Sequence, residues 1–178
     1  MILTIDRPNL LSALDARAPD KEVRYYLRGL IFDTEKKLVA TDGKIMFIGN
    51  FAEELADPIV IGFDHKPPTR FNTCELDTER GIARYIGTGG LAMAGGITII
   101  DARACDWRRA TRGNWTEPTG GAAPQLGINA DYLGKICKMA ARFSPHHGMT
   151  LRPGSDSTQA LRIDFTGGPY AIIMPQRQ

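Results

Sequence analysis

The sequence predicts a β-rich α+β protein, with two helices packed on antiparallel β-sheets. Short apolar runs rich in β-branched and aromatic residues recur along the 178 residues, with turn residues between them. The 19 glycines and 11 prolines supply breaks that a helical bundle would not tolerate. Helical spacing behind a capping residue occurs in two stretches, after Asp6 and after Asn129. A chain of this length can bury one sizeable core or two small ones.

The first element is a strand over Ile2 to Ile5. Asp6 then caps a helix with Pro8 in its first turn, Leu10, Leu11 and Leu14 on one face, and Pro19 as its stop. From Tyr25 to Phe32 an apolar and aromatic run reads as a strand interrupted by Arg28 and Gly29. A charged turn at Asp33 to Lys37 returns the chain through Leu38 to Ala40, and Ala-Thr-Asp-Gly leads into a third strand from Lys44 to Ile48. Phe51 to Leu55 reads as a helical turn and Pro58 to Phe63 as a strand. Strands follow at about 71–76, 81–86 and 97–101, with turns at Gly87 to Gly90 and at Gly95-Gly96. Arg108 to Pro124 is rich in Arg, Gly, Thr and Pro without periodicity, a linker or long loop. Beyond it come a strand at Leu126 to Ile128, a helix over Ala130 to Phe143 stopped by Ser144-Pro145, and strands at 149–152, 161–165 and 170–174. The expected division is a unit over 1–111, a linker over 112–124 and a half-domain over 125–178, or one combined domain. Residues 1–49 and 126–174 share the order strand, helix, meander, as a degenerate repeat would.

The net charge of +2 is too small to indicate nucleic acid, so any such contact must rest on local clustering. On the second helix Lys135, Lys138 and Arg142 fall within about 60° of one another. Leu133, Ile136, Cys137, Ala140 and Phe143 take the opposite arc. Such a stripe is either a solvated face or a set of phosphate contacts. Cys74, Cys105 and Cys137 are odd in number and widely spaced, which indicates neither zinc nor a disulfide scaffold. No apolar run reaches the ~18 residues of a membrane span and no signal segment opens the chain, so a cytoplasmic protein without membrane contact is expected. Gly87-Thr88-Gly89-Gly90 lacks the lysine of a phosphate loop and reads as a turn. An enzyme built on Cys105 or on His146-His147 is a rival reading. No histidine lies near Cys105 in sequence, and adjacent histidines do not share a helix face. No catalytic residue, metal or cofactor is expected.

Four segments, in order, carry a resemblance. They are EVRYYLRGLIFDTEKKLVATDGKIM (22–46), IDARACDWRRA (100–110), LGINADYLGKICKMA (126–140) and the tail YAIIMPQR (170–177). The first closely resembles the middle domain of the bacterial DNA polymerase III β subunit, the sliding clamp. The others are similar to that family's VDGRFPDYRR segment, to the strand and second helix of its last domain, and to its VMPMR ending. The resemblance implies a DNA-clamp-like fold and a non-catalytic replication accessory role, with self-association into a homo-oligomer around double-stranded DNA. It also implies a pocket for replication or repair proteins that carry clamp-binding peptides. Lys135, Lys138 and Arg142 would face the duplex, with Arg24 and Tyr25 beside them. The pocket would take Leu27, Thr41, Gly43, Lys44, Ile45 and Met46 from the first segment, then Cys105, Arg109 and Ala110. Ile172, Met174, Pro175, Gln176 and Arg177 would complete it from the tail. The chain departs from the family in length, roughly half the usual, and in lacking a second helix after PIVIGF. Ile45 also stands where a basic residue is usual, Cys105 where proline is, and Gln176 and Gln178 where apolar residues are. A peptide-binding module or decoy that regulates replication proteins without encircling DNA is the alternative.

Overall fold

A computed structural model describes residues 1–112, 115, 126–146, 148–156 and 158–176. Arg177, Gln178, His147 and all but Arg112 and Trp115 of the expected linker lie outside the described residues. The chain opens with β1 (Ile2–Asp6) and α1 (Arg7–Ala16), where an Asp6 carboxylate oxygen accepts the Asn9 backbone N–H at 2.8 Å. This satisfies one of the donors that every helix start leaves over. The strands that follow are β2 (Leu30–Phe32), β3 (Lys37–Thr41), β4 (Ile45–Asn50), β5 (Ile59–Phe63), β6 (Thr73–Asp77), β7 (Ile82–Gly87) and β8 (Gly90–Ile99). A short α2 (Trp107–Thr111) precedes α3 (Ala130–Phe143), and β9 (Met149–Arg152), β10 (Leu161–Phe165) and β11 (Tyr170–Ile173) complete the fold. No described helix is long and apolar enough to cross a membrane.

The strands form one sheet in the order β1-β6-β7-β8-β5-β2-β3-β4-β11-β10-β9, antiparallel at every pairing. β4 pairs with β11 from Ile45↔Ile173 to Ile48↔Tyr170, so β2-β3-β4 and β11-β10-β9 mirror each other across that seam. α1 and α3 pack together over one face, on Leu30, Phe32, Leu38, Ala40, Phe47, Ala171 and Ile173. The alternate residues Ile31, Val39, Met46, Ile48 and Ile172 point to the opposite face and bury a smaller cluster with Trp107. The central strands are therefore apolar without alternation, as the sequence shows them, because both faces are covered.

Several expectations are corrected. Tyr25–Arg28 is a 3-10 turn rather than strand, since Leu27 spends its N–H on Arg24 O and its carbonyl on Ala18 N; only Leu30–Phe32 pairs. Phe51 to Leu55 makes no helical turn; Phe51 N–H bonds Lys36 O and both end side chains sink into the core. Leu126 to Ile128 is not a strand, its recorded backbone link being Gln176 N–H to Gly127 O. Gly95-Gly96 lies inside β8 instead of at a turn. A Cβ on Gly95 would meet the His65 ring at 2.5 Å and one on Gly96 an Asp64 oxygen at 2.3 Å, so these glycines admit close packing. The His65 ring bonds Gly96 O through Nδ1 and the Tyr85 hydroxyl through Nε2. α2 stands at the start of the Arg108 to Pro124 stretch, which reads as having no regular structure, and just ahead of the expected linker. On α3 the buried residues are Ile136, Met139 and Ala140, while Cys137 is exposed.

Candidate functional site

The turn between β3 and β4 is fixed by its own side chains. The Thr41 hydroxyl donates to Ile45 O at 2.6 Å and accepts from Gly43 N–H at 2.9 Å. The Asp42 carboxylate accepts from Lys44 and Ile45 N–H at 2.8 and 2.9 Å, and Gly43 takes φ +87°. Thr-Asp-Gly is therefore a structural necessity here: two short acceptors and a residue free to adopt positive φ. Met174 N–H bonds Lys44 O, which lays the end of β11 alongside this turn.

Between the turn, the 3-10 segment and α2 opens a cavity of about 240 Å³. Leu27, Met46, Ile172 and Met174 make its apolar walls; Cys105, Asp106 and Ala110 border it from the α2 side. A second cavity of about 440 Å³ continues past Asp106, Ala110 and Met174 toward Arg109, Trp115 and Gln159. An adaptable methionine, 44% exposed, separates the two.

A polar clip holds the α2 wall. The Trp107 indole N–H donates to an Asp33 carboxylate oxygen at 3.0 Å, and the Arg108 guanidinium spans both Asp33 oxygens at 2.6 and 3.2 Å. Arg108 also bonds Glu35 and lies 4.7 Å above the Trp107 ring. Burial alone would push the Asp33 carboxyl up; the bonds from Arg108, Trp107 and the Glu35 N–H outweigh it and hold the group below the usual range.

The structure brings Leu27, Thr41, Gly43, Lys44, Ile45, Met46, Cys105, Ala110, Ile172 and Met174 around the first cavity. Ile45 borders it with a side chain that belongs to the helix-side core. Arg109 lines the second cavity, whereas Pro175 and Gln176 line neither. Tyr26 and Asp106 were not anticipated there. Nor was Arg24, which stands at the cavity mouth and pairs with Glu22 at 2.9 Å. Tyr25 is half exposed, its hydroxyl 3.5 Å from Asp101 O. On α3, Lys135 and Lys138 are exposed, with Lys135 3.9 Å from Asp42. Arg142 reaches across to α1, 2.6 Å from Asp15 and 3.3 Å from the Ser12 hydroxyl. Burial raises the Cys105 thiol, so at neutral pH it is a protonated apolar neighbour rather than a nucleophile. Among the described residues no group of three or more His, Cys, Asp or Glu could hold a metal ion.

No family pattern and no curated protein matches this sequence. Solved structures do match. The sliding clamp of Caulobacter crescentus superposes with a TM-score of 0.62 at 17% identity, over 99% of this chain and 65% of that one. The fold is that of a bacterial sliding clamp. The Helicobacter pylori β clamp bound to a DNA ligase peptide is similar at TM-score 0.64 and 12% identity, over 99% and 66% of the two chains. The DNA polymerase III β subunit of Thermotoga maritima is similar at 0.58 and 15%, over 100% and 66%. The chain thus spans about two thirds of the length of the clamps it matches, and at these identities it shares their fold rather than any shown activity. Within the clamp fold, α1 and α3 form one layer and the cleft opens on the opposite face of the sheet.

Proposed function

We propose that this protein is a non-catalytic, sliding-clamp-like replication accessory protein. Its outer cleft holds polymerase or repair partners through a short peptide, and its helices contact double-stranded DNA without reading sequence. The cleft carries the proposal: four segments distant in sequence converge on one apolar cavity with polar groups at its edge, which suits a peptide with a few apolar anchors. The ligase peptide on the H. pylori clamp supports the same reading. Met174 is the wall residue to change, because Ile172 is 2% exposed and its truncation would also unsettle the fold. Titration of a clamp-binding peptide should show Met174→Ala weakening affinity by about tenfold, roughly one buried anchor contact. No binding by the unsubstituted protein removes the peptide role.

The second reading, a peptide-binding module or decoy that does not encircle DNA, is favoured by the ties on the helix face. Arg142 is committed to Asp15 and Lys135 stands 3.9 Å from Asp42, so two of the three cations already face a carboxylate. Replacing Lys135, Lys138 and Arg142 by alanine separates the two. A clamp loses duplex affinity and its salt slope falls by about one per phosphate contact removed. An unchanged slope assigns the stripe to solvent.

A further inference from the structure

Asp42 stands where the helix layer and the cleft come closest. Its Oδ1 accepts the Lys44 and Ile45 N–H groups at 2.8 and 2.9 Å and so shapes the turn that borders the cavity. Its Oδ2 faces the Lys135 ammonium of α3, 3.9 Å away. The carboxylate is only 12% exposed, whereas Lys135 is 44% exposed and can turn to solvent. On the cleft side the Arg24 guanidinium lies against Gly43, where a Cβ would stand 3.2 Å from its Nη1. Arg24 donates to Glu22 through Nε and Nη2, and Nη1 has no hydrogen-bond partner among the described residues. The bond to Glu22 favours the charged guanidinium, and the Asp42 carboxylate adds to that at longer range. One carboxylate therefore serves a cation of the helix face and a cation of the cleft mouth.

We propose that Asp42 couples duplex contact to peptide binding, so that each weakens the other. The inference rests on both the DNA reading and the peptide reading above. A phosphate that draws Lys135 away leaves Asp42 to Arg24. The guanidinium is then held at the turn and is less available to a peptide. A peptide that takes up the free Arg24 donors, even by a backbone carbonyl, leaves Asp42 to Lys135. The ammonium is then held against the turn and is less available to a phosphate. The two arrangements differ in which cation the carboxylate keeps, and each ligand favours one of them. The Oδ1 bonds to the turn stop the carboxylate from following either cation. Because both cations are exposed, the coupling is modest, about threefold.

The test titrates a clamp-binding peptide of zero net charge, by fluorescence anisotropy at low salt, into the protein alone and into the protein saturated with a short blunt duplex. Duplex should raise the peptide Kd about threefold, and saturating peptide should raise the duplex Kd by the same factor. Asp42→Asn removes the charge but keeps an oxygen for the Lys44 and Ile45 N–H groups. It should bind the peptide and lose the dependence on duplex. Lys135→Gln, which leaves the turn untouched, should lose the dependence too, with Lys138 and Arg142 still on the duplex. A duplex that merely crowds the cleft would weaken the peptide equally in the parent and both variants, which overturns the proposal. Equal peptide affinity with and without duplex in the parent also overturns it, and leaves both binding readings standing. A parent that fails to bind duplex or peptide overturns that reading and the coupling with it.

Discussion

Replacing Asp33 by alanine is expected to cost on the order of 3 kcal/mol of stability and to weaken peptide binding at a cleft it does not line. Asp33 is 2% exposed, and its carboxylate answers three groups at once: the Trp107 indole, the Arg108 guanidinium and the Glu35 N–H that shapes the β2–β3 turn. Without it Trp107 keeps a buried N–H with no acceptor, the costly half of a lost hydrogen bond. Arg108 retains only Glu35, which is more than half exposed and holds it weakly. α2 then loses its anchor to the sheet, and with it the Asp106 and Ala110 border of both cavities. The sign of the pH dependence follows. The folded Asp33 carboxyl is held below its ordinary value of about 4, so its contribution is present above that pH and lost as the pH falls through the lowered value. Denaturant melts of parent and variant should differ at pH 7 and converge in acid. A difference that stays the same as the pH is lowered through the acid range contradicts the clip.

Phe47→Ala is the second large effect, at about 3–5 kcal/mol. Phe47 is fully buried on β4, with its ring 6.0 Å from Phe143 of α3 and 6.4 Å from Phe165 of β10. It therefore ties both sides of the β4–β11 seam, and its loss leaves a ring-sized cavity between them. Calorimetry should show a single transition lowered by about 10 °C for a chain of this size. We propose on this ground that residues 1–111 and 125–178 unfold together. Two transitions, of which Phe47→Ala moves one, would contradict that.

How far the sequence announces this structure differs by element. α3 is legible to the residue because Asn129, the apolar period and Ser144 all act locally. The Thr41-Asp42-Gly43 turn is legible for the same reason. Tyr25–Arg28 is not: a short apolar run reads alike as strand or as tight turn, and the choice is made by Ala18 and Leu27 bonding across the chain. Gly95 and Gly96 mislead because their reasons are His65 and Asp64, about 30 residues earlier in sequence and beyond any local pattern. α2 is five residues long, too short for periodicity, and its Trp107 is anchored on Asp33, 74 residues away in sequence. The cleft has no local signature at all. Its residues at 24–27, 41–46, 105–110 and 172–174 meet through the β3–β4 turn and the β4–β11 pairing, so resemblance is what gathers them beforehand. The same resemblance placed Arg24 toward DNA, while the fold sets it at the cleft mouth.

The mass of the protein in solution tests the clamp reading most directly. In the clamp reading α1 (10 residues) and α3 (14 residues) are all that one chain would turn toward a duplex, so encircling it requires several copies side by side. Sedimentation velocity at micromolar protein is predicted to show a discrete assembly of several 19.5 kDa chains. A strict monomer that persists as concentration rises would contradict encirclement and leave the peptide-binding module as the function.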